Sequence, residues 1–278
     1  MSDLVEKVES ILINFMDDSS ISYDWYHTLR VKAVAESLAL EELNVDMEVV
    51  SLAALLQDIG NSKYYNGDKE EGLKLVREIL NEVKVRPSKS AHVIDIINNM
   101  FFSGAGVKTP MRSIEGKIVQ DAERLDNIGA IGIARCFSEG GRLGKKYFDP
   151  DYIPHKHVSK EAFLASKSDS LNSFHEIFYN YPESMNTQAG KKLAIKRIKF
   201  MKKFESQFHV EWMGQDLDPI LIKLKEKSPW ADPNFKMFIL LIAEAFKDPI
   251  KFEKINIDDY EFNNNLNDGN AVDEKEKE

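Results

Sequence analysis

The residues best equipped for chemistry in this chain are one histidine and two carboxylates set into apolar helical runs. Residues 52–61, Leu-Ala-Ala-Leu-Leu-Gln-Asp-Ile-Gly-Asn, end in Gln57 and Asp58. A carboxylate at the end of so apolar a run is costly to bury unless it is paired or coordinated. His27 lies on the stripe His27, Val31, Val34, Leu38, so it points where the valines point. Asp121 interrupts the apolar stripe Ile114, Ile118, Leu125, Ile128. Three helices thus each place one metal-capable side chain on an apolar face, as helical bundles do when they build metal sites. One imidazole and two carboxylates suit a hard or borderline divalent ion better than structural zinc. Such an ion polarises a phosphoryl oxygen and lowers the pKa of a bound water. Each residue alone has a plainer reading. His27 would be a hydrogen-bonded core histidine, Asp58 a turn former, and Asp121 the partner of a buried Arg124 or Arg135.

The elements that must position these residues read as helices almost throughout. Val5, Val8, Leu12 and Phe15 mark a first helix. The His27 helix starts near Ser22 or Asp24, either of which can cap it. Asp46 caps the next helix, with stripe Val50, Ala53, Ala54, Gln57, and Gly60 stops it. Residues 73–83 and 91–101 form two amphipathic helices, and residues 103–110 a flexible connection. Ser113 opens one long helix running to Gly132, where Gly129, Ala130 and Gly132 let another helix approach. Residues 140–154 read as a Gly/Pro-rich loop, residues 160–180 and 187–212 as helices, and Gly214 as a domain end.

Bulk properties bound the rest. The chain has 278 residues, 43% of them hydrophobic, enough for a full core. No apolar run approaches the roughly 18 residues of a membrane span. The N-terminal residues lack the basic-then-apolar pattern of a signal peptide. A single cysteine, Cys136, excludes an internal disulfide and fits a reducing, cytoplasmic setting; it reads as a buried, inert thiol. The net charge of −9 argues against a general nucleic-acid-binding surface. The expected organisation is an all-α helical bundle over residues 1–214, a short helical C-terminal extension over 215–255, and an acidic, disordered tail over 256–278 too poor in apolar residues to pack. The extension would pack on the domain or on a second subunit, making a homodimer.

The segments Tyr-Asp-Trp-Tyr-His-Thr-Leu-Arg-Val (23–31), Ala-Ala-Leu-Leu-Gln-Asp-Ile-Gly (53–60) and Ile-Val-Gln-Asp-Ala-Glu-Arg-Leu-Asp-Asn-Ile-Gly-Ala-Ile-Gly-Ile-Ala-Arg (118–135) resemble the HD-domain metal-dependent phosphohydrolases. The likeness is greatest to their single-domain subfamily, which cleaves nucleoside triphosphates to monophosphate and pyrophosphate. It continues through Phe148-Asp149-Pro150, Met185-Asn186-Thr187 and Glu211-Trp212. The resemblance implies a compact all-α fold and a small-molecule nucleotide substrate attacked by a metal-activated water. The implied metal ligands are His27, position 57 with Asp58, and Asp121. The ion would be Mn or Mg, with Fe, Co or Ni as alternatives. Position 57 departs from the pattern, because the family's histidine is Gln57 here. An amide oxygen is a weaker, neutral ligand for a transition metal. The site therefore still works with a weakened metal, or has become a nucleotide- or partner-binding pseudoenzyme, or carries a substitution meant to trap substrate.

Softer candidates surround this set. Lys63 follows the metal helix and can bind phosphate. Asp68 and Glu71 can act as general acid or orient water, and the neighbouring Glu70 reads alike. Arg30, three residues from His27, and Arg124, three from Asp121, can clamp phosphate or simply bridge helices. Lys117 carries the same two readings. His92 reads as structural, and His155 and His157 as part of a substrate lid or as plain loop residues.

Overall fold

The computed structural model describes residues 3–15, 25–60, 68–100, 109–155, 157, 159, 166 and 168–214. Residues 215–278, and with them the expected extension and tail, lie outside the described residues, as do Ser22, Asp24 and Lys63. Every described element is a helix or a turn, so the fold is all-α.

Helix α1 (Asp3–Phe15) buries Val5, Val8 and Leu12, three residues on one face. Helix α2 (Trp25–Ala39) buries His27, Val31, Ala35 and Leu38. Helix α3 (Met47–Leu56) is capped as expected: Asp46 Oδ1 accepts from the amides of Glu48 and Val49 at 3.1 and 3.3 Å. Every residue from Val49 to Leu56 is buried, so α3 has no solvent face over that span and forms the centre of the bundle. Helices α4 (Lys69–Glu82) and α5 (Pro87–Asn99) pack on each other, and α5 packs on α3. Helix α6 (Ile114–Asp126) is capped by Ser113 Oγ, which accepts from Gly116 N at 3.1 Å. Helices α2, α3 and α6 pack mutually and carry the candidate residues on their shared core.

The single long helix expected from Ser113 to Gly132 is two. It ends at Asp126, where the amides of Asn127 and Ile128 turn back onto the carbonyls of Arg124 and Leu125. Gly129 then takes φ +80°, a conformation that favours glycine, and starts α7 (Gly129–Arg142). The small residues there serve two different purposes. Gly129 faces the stem of Arg197, while a Cβ on Gly132 would strike the backbone of Asn127 in its own turn; Ala130 is exposed.

Gly140 and Gly141 are helical where a loop is expected, because α7 runs on to Arg142. Conversely, the helix expected over 160–180 is not continuous; residues 160–165 lie outside the described set. The Asp169 carboxylate accepts from Asn172 N and Asp149 N at 2.7 and 2.8 Å, and side-chain bonds of this kind compete with the helical ladder. Among the described residues of this stretch the chain makes the short α8 (Ser173–Glu176), a 3-10 turn (Phe178–Asn180) and α9 (Tyr181–Ser184). The long α10 (Gln188–Met213) follows. Phe137 of α7, Phe174 of α8 and Phe204 of α10 meet with ring centroids 6.1–6.4 Å apart and tie these elements together. Cys136 lies beside this cluster, its Sγ 3.2 Å from Ser170 O, and burial pushes its thiol up to about 12.

The chain divides into two compact units, residues 1–208 and 209–278. Among the described residues no helix is long and apolar enough to cross a membrane.

Gly129→Ala is expected to destabilise the protein by about 1–3 kcal/mol, since it places a Cβ at positive φ and 3.1 Å from the Arg197 stem. Urea denaturation of the two proteins measures it.

Candidate metal centre

His27 lies in the first turn of α2 and is 0% exposed. Its Nδ1 is 2.7 Å from Asp126 Oδ2, at the end of α6, distant in sequence but adjacent in space. A carboxylate on one ring nitrogen fixes the ring and directs the other nitrogen, which is how metal-binding histidines are held. That other atom, Nε2, faces two carboxylates: Asp58 Oδ2 at 3.3 Å and Glu123 Oε2 at 3.2 Å. Gln57, 1% exposed, donates from Nε2 to Glu123 Oε2 at 2.9 Å. Glu123 Oε1 accepts from Asn127 Nδ2 at 3.1 Å. Three helices therefore bring an imidazole, two carboxylates and an amide to one point. The cluster opens toward solvent on one side, where the Glu123 side chain is 24% exposed against 0% for His27 and 6% for Asp58.

Charge binds the cluster. Burial alone would lower the His27 pKa, but the Glu123 charge and hydrogen bonds to Asp126, Asp58 and Glu123 outweigh it and raise it to about 11. Burial would raise the Glu123 and Asp126 carboxyls; His27, reinforced by Arg135 and, for Asp126, by Arg30, holds both well below the usual carboxylate range. Asp126 receives Arg30 Nε at 2.8 Å on Oδ1 and Arg135 Nη1 at 2.7 Å on Oδ2.

Among the described residues no group of three or more His, Cys, Asp or Glu side chains stands in a ready-made metal-binding geometry. The donor set here includes an amide. It nevertheless fits a hard divalent cation on two grounds. Asp58 Oδ2 is buried and faces only a poorly aligned contact, His27 Nε2 at 3.3 Å, a costly state for a carboxylate oxygen. The separations of 3.2 and 3.3 Å also match adjacent ligands of an octahedral ion, about 3 Å apart when each lies about 2.1 Å from the metal.

The expected residues divide. His27, Gln57 and Asp58 are brought together. Asp121 is not: its Oδ1 accepts from Asn186 N and Nδ2 at 2.9 and 2.8 Å, and its Oδ2 from Thr187 N and Oγ1, both at 2.8 Å. Both oxygens are thus consumed in anchoring the start of α10, with no lone pair left for a cation. Glu123, two residues on, stands in the cluster instead. Arg30 reaches it through Asp126, its side chain 35% exposed. Arg124 bridges Thr109 Oγ1 and Ser184 O, the helix-bridging alternative. Asp68 is the N-cap of α4, accepting from Glu70 N and Glu71 N, and Glu71 is exposed in that helix's first turn; this geometry lends no support to acid catalysis by either. His92 lies 3.6 Å from Glu115. His157 Nε2 and the His155 amide both meet the buried Glu176, which pins their loop.

Glu123 and Asp126 are the residues sequence reasoning missed; Arg135 is the buried ion-pair partner it foresaw, but of Asp126 rather than Asp121. The signal was the burial of α6 on nearly every side, Glu115 to Asp126: inside such a helix any charged residue needs a partner, whichever stripe it occupies.

The model of the HD domain matches residues 24–128. The uncharacterised protein YpgQ of Bacillus subtilis is 31% identical over 219 residues, 77% of this chain and 96% of YpgQ. Among solved structures, an HD-superfamily hydrolase from Bacillus thuringiensis superposes with TM-score 0.59 at 36% identity, covering 75% of this chain and 96% of its own. A Lactobacillus plantarum protein gives TM-score 0.67 at 28% identity over 77% and 99%. YpgQ in complex with ADP gives 0.57 at 27% over 74% and 97%.

The metal-free protein, kept in chelator, should lose stability at both ends of the pH scale. The depressed Glu123 and Asp126 contribute stability above their unfolded pKa of about 4 and lose it as pH falls toward 2. His27 contributes fully below its unfolded pKa of about 6.5, and that part fades as pH rises through about 11. Asp126→Asn should flatten the acid limb in urea denaturation from pH 2 to 6; an unchanged limb would contradict the assignment.

Proposed function

The chain belongs to the HD-domain family, and from that premise we propose that it is a metal-dependent phosphohydrolase acting on a nucleotide. The best-supported substrate is a nucleoside triphosphate split to monophosphate and pyrophosphate. The observation that carries this reading is the convergence of His27 Nε2, Asp58 Oδ2 and Glu123 Oε2 on one partly open point. His27, Asp58 and Glu123 would hold the ion, with Gln57 beside them; Mn or Mg suits this oxygen-rich set. When bound, the ion supplies Lewis acidity toward a phosphoryl oxygen and toward a water. The remaining work belongs to the chain. Asp126 fixes the His27 ring through Nδ1, and Arg30 and Arg135 keep Asp126 ionised. Arg30, the more exposed of the two, stands where it can also neutralise a phosphate, a part shared with Lys63. The ADP complex of YpgQ supports a nucleotide as the ligand class.

A second reading has its own observation. Gln57 stands where the resemblance implies a histidine, which favours a pseudoenzyme that binds a nucleotide without turning it over. The two separate in one assay, the release of phosphate and pyrophosphate from a panel of nucleoside triphosphates with manganese.

Under the first reading the wild-type chain turns over, and both Asp58→Ala and Glu123→Gln lose more kcat/KM than the roughly 10–100-fold typical of outer-shell partners. Circular dichroism should show both variants folded. Binding without turnover in the wild type would leave the second reading.

A further inference from the structure

Gln57 is the only amide among the four side chains that converge, and it is tied to the cluster by a hydrogen bond to Glu123. We propose that Gln57 is a metal-selecting residue: it biases this centre toward hard divalent cations such as Mg and Mn and against the imidazole-seeking Co, Ni and Zn. The inference rests on the metal-centre reading above. An imidazole at position 57 would give the centre two nitrogen donors. With glutamine it has one, His27 Nε2, and the donors facing that atom are carboxylate oxygens, of Asp58 and Glu123. Affinity for late first-row metals rises steeply with nitrogen donors, whereas Mg and Mn are best matched by carboxylate and carbonyl oxygen. The exchange therefore costs the late metals far more than the early ones.

The hydrogen bond makes the bias structural. Gln57 Nε2 on Glu123 Oε2 and Asn127 Nδ2 on Glu123 Oε1 engage both oxygens of that carboxylate and set its orientation. The Gln57 side of this bond is buried. Gln57 thus acts both by withholding a second nitrogen ligand and by how it holds Glu123.

The test is calorimetric titration of the metal-free full chain with MnCl2 and with NiCl2, for the wild type, Gln57→His and Asp58→Ala. Gln57→His is expected to tighten nickel on the order of tenfold more than it tightens manganese, and Asp58→Ala to abolish the heat of both. An unchanged nickel-to-manganese ratio, with binding still dependent on Asp58, overturns the selectivity while leaving the metal centre standing. Binding that is absent, or indifferent to Asp58→Ala, overturns both. Should Gln57→His fail to fold, Gln57→Glu, which keeps an oxygen donor, must leave the ratio unchanged; a shift toward nickel contradicts the proposal.

Discussion

The candidate centre depends on one buried imidazole that must be surrounded by charge. His27 is fully enclosed on α2, and an enclosed ionisable ring is tolerated only with partners on both nitrogens. Asp126 satisfies Nδ1, and Asp58 and Glu123 face Nε2. Those partners come from α3 and α6, so the arrangement fixes how the three central helices sit on one another. The arginines on Asp126 follow from the same need. Removing one partner from so tight a set strands a buried charge, typically at about 3–5 kcal/mol. Chemistry and stability therefore draw on the same side chains.

Asp121 shows how the fold keeps that set in place. It lies on α6 close in sequence to Glu123 and Asp126, yet it holds the amides of Asn186 and Thr187 and the Thr187 hydroxyl. Thr187 Oγ1 in turn accepts from Gly190 N and caps the start of α10. A Cβ on Gly190 would lie 2.6 Å from Asp121 Oδ2, so a glycine is required where the two helices meet. One turn of α6 thus faces two ways: Asp121 toward the long helix, Glu123 and Asp126 toward His27.

Much of this was legible in the sequence. The all-α class, the Asp46 and Ser113 caps, the burial of His27 and its meeting with Asp58 follow from periodicity and capping chemistry, while Gln57 entered through the family resemblance. The choice between Asp121 and Glu123 did not. A stripe argument assigns one buried face to a helix, and α6 is buried nearly all round. Asp121 stands on the apolar stripe and still has a purely structural set of partners, while Glu123 stands off it and joins the cluster. The break after Asp126 was hidden for a related reason. The apolar repeat carries through Ile128, and only the positive φ of Gly129 reveals the turn. The interrupted segment before α10 was lost to side-chain bonds from Asp169, which periodicity does not see.

The most direct measurement is anomalous diffraction at the manganese edge from crystals of the full chain soaked in MnCl2. The account predicts one peak between about 2.0 and 2.6 Å from His27 Nε2, an Asp58 oxygen and a Glu123 oxygen, with Asp121 still bonded to Asn186 and Thr187. A peak coordinated by Asp121 instead of Glu123, or a centre without manganese at saturating metal, would contradict it.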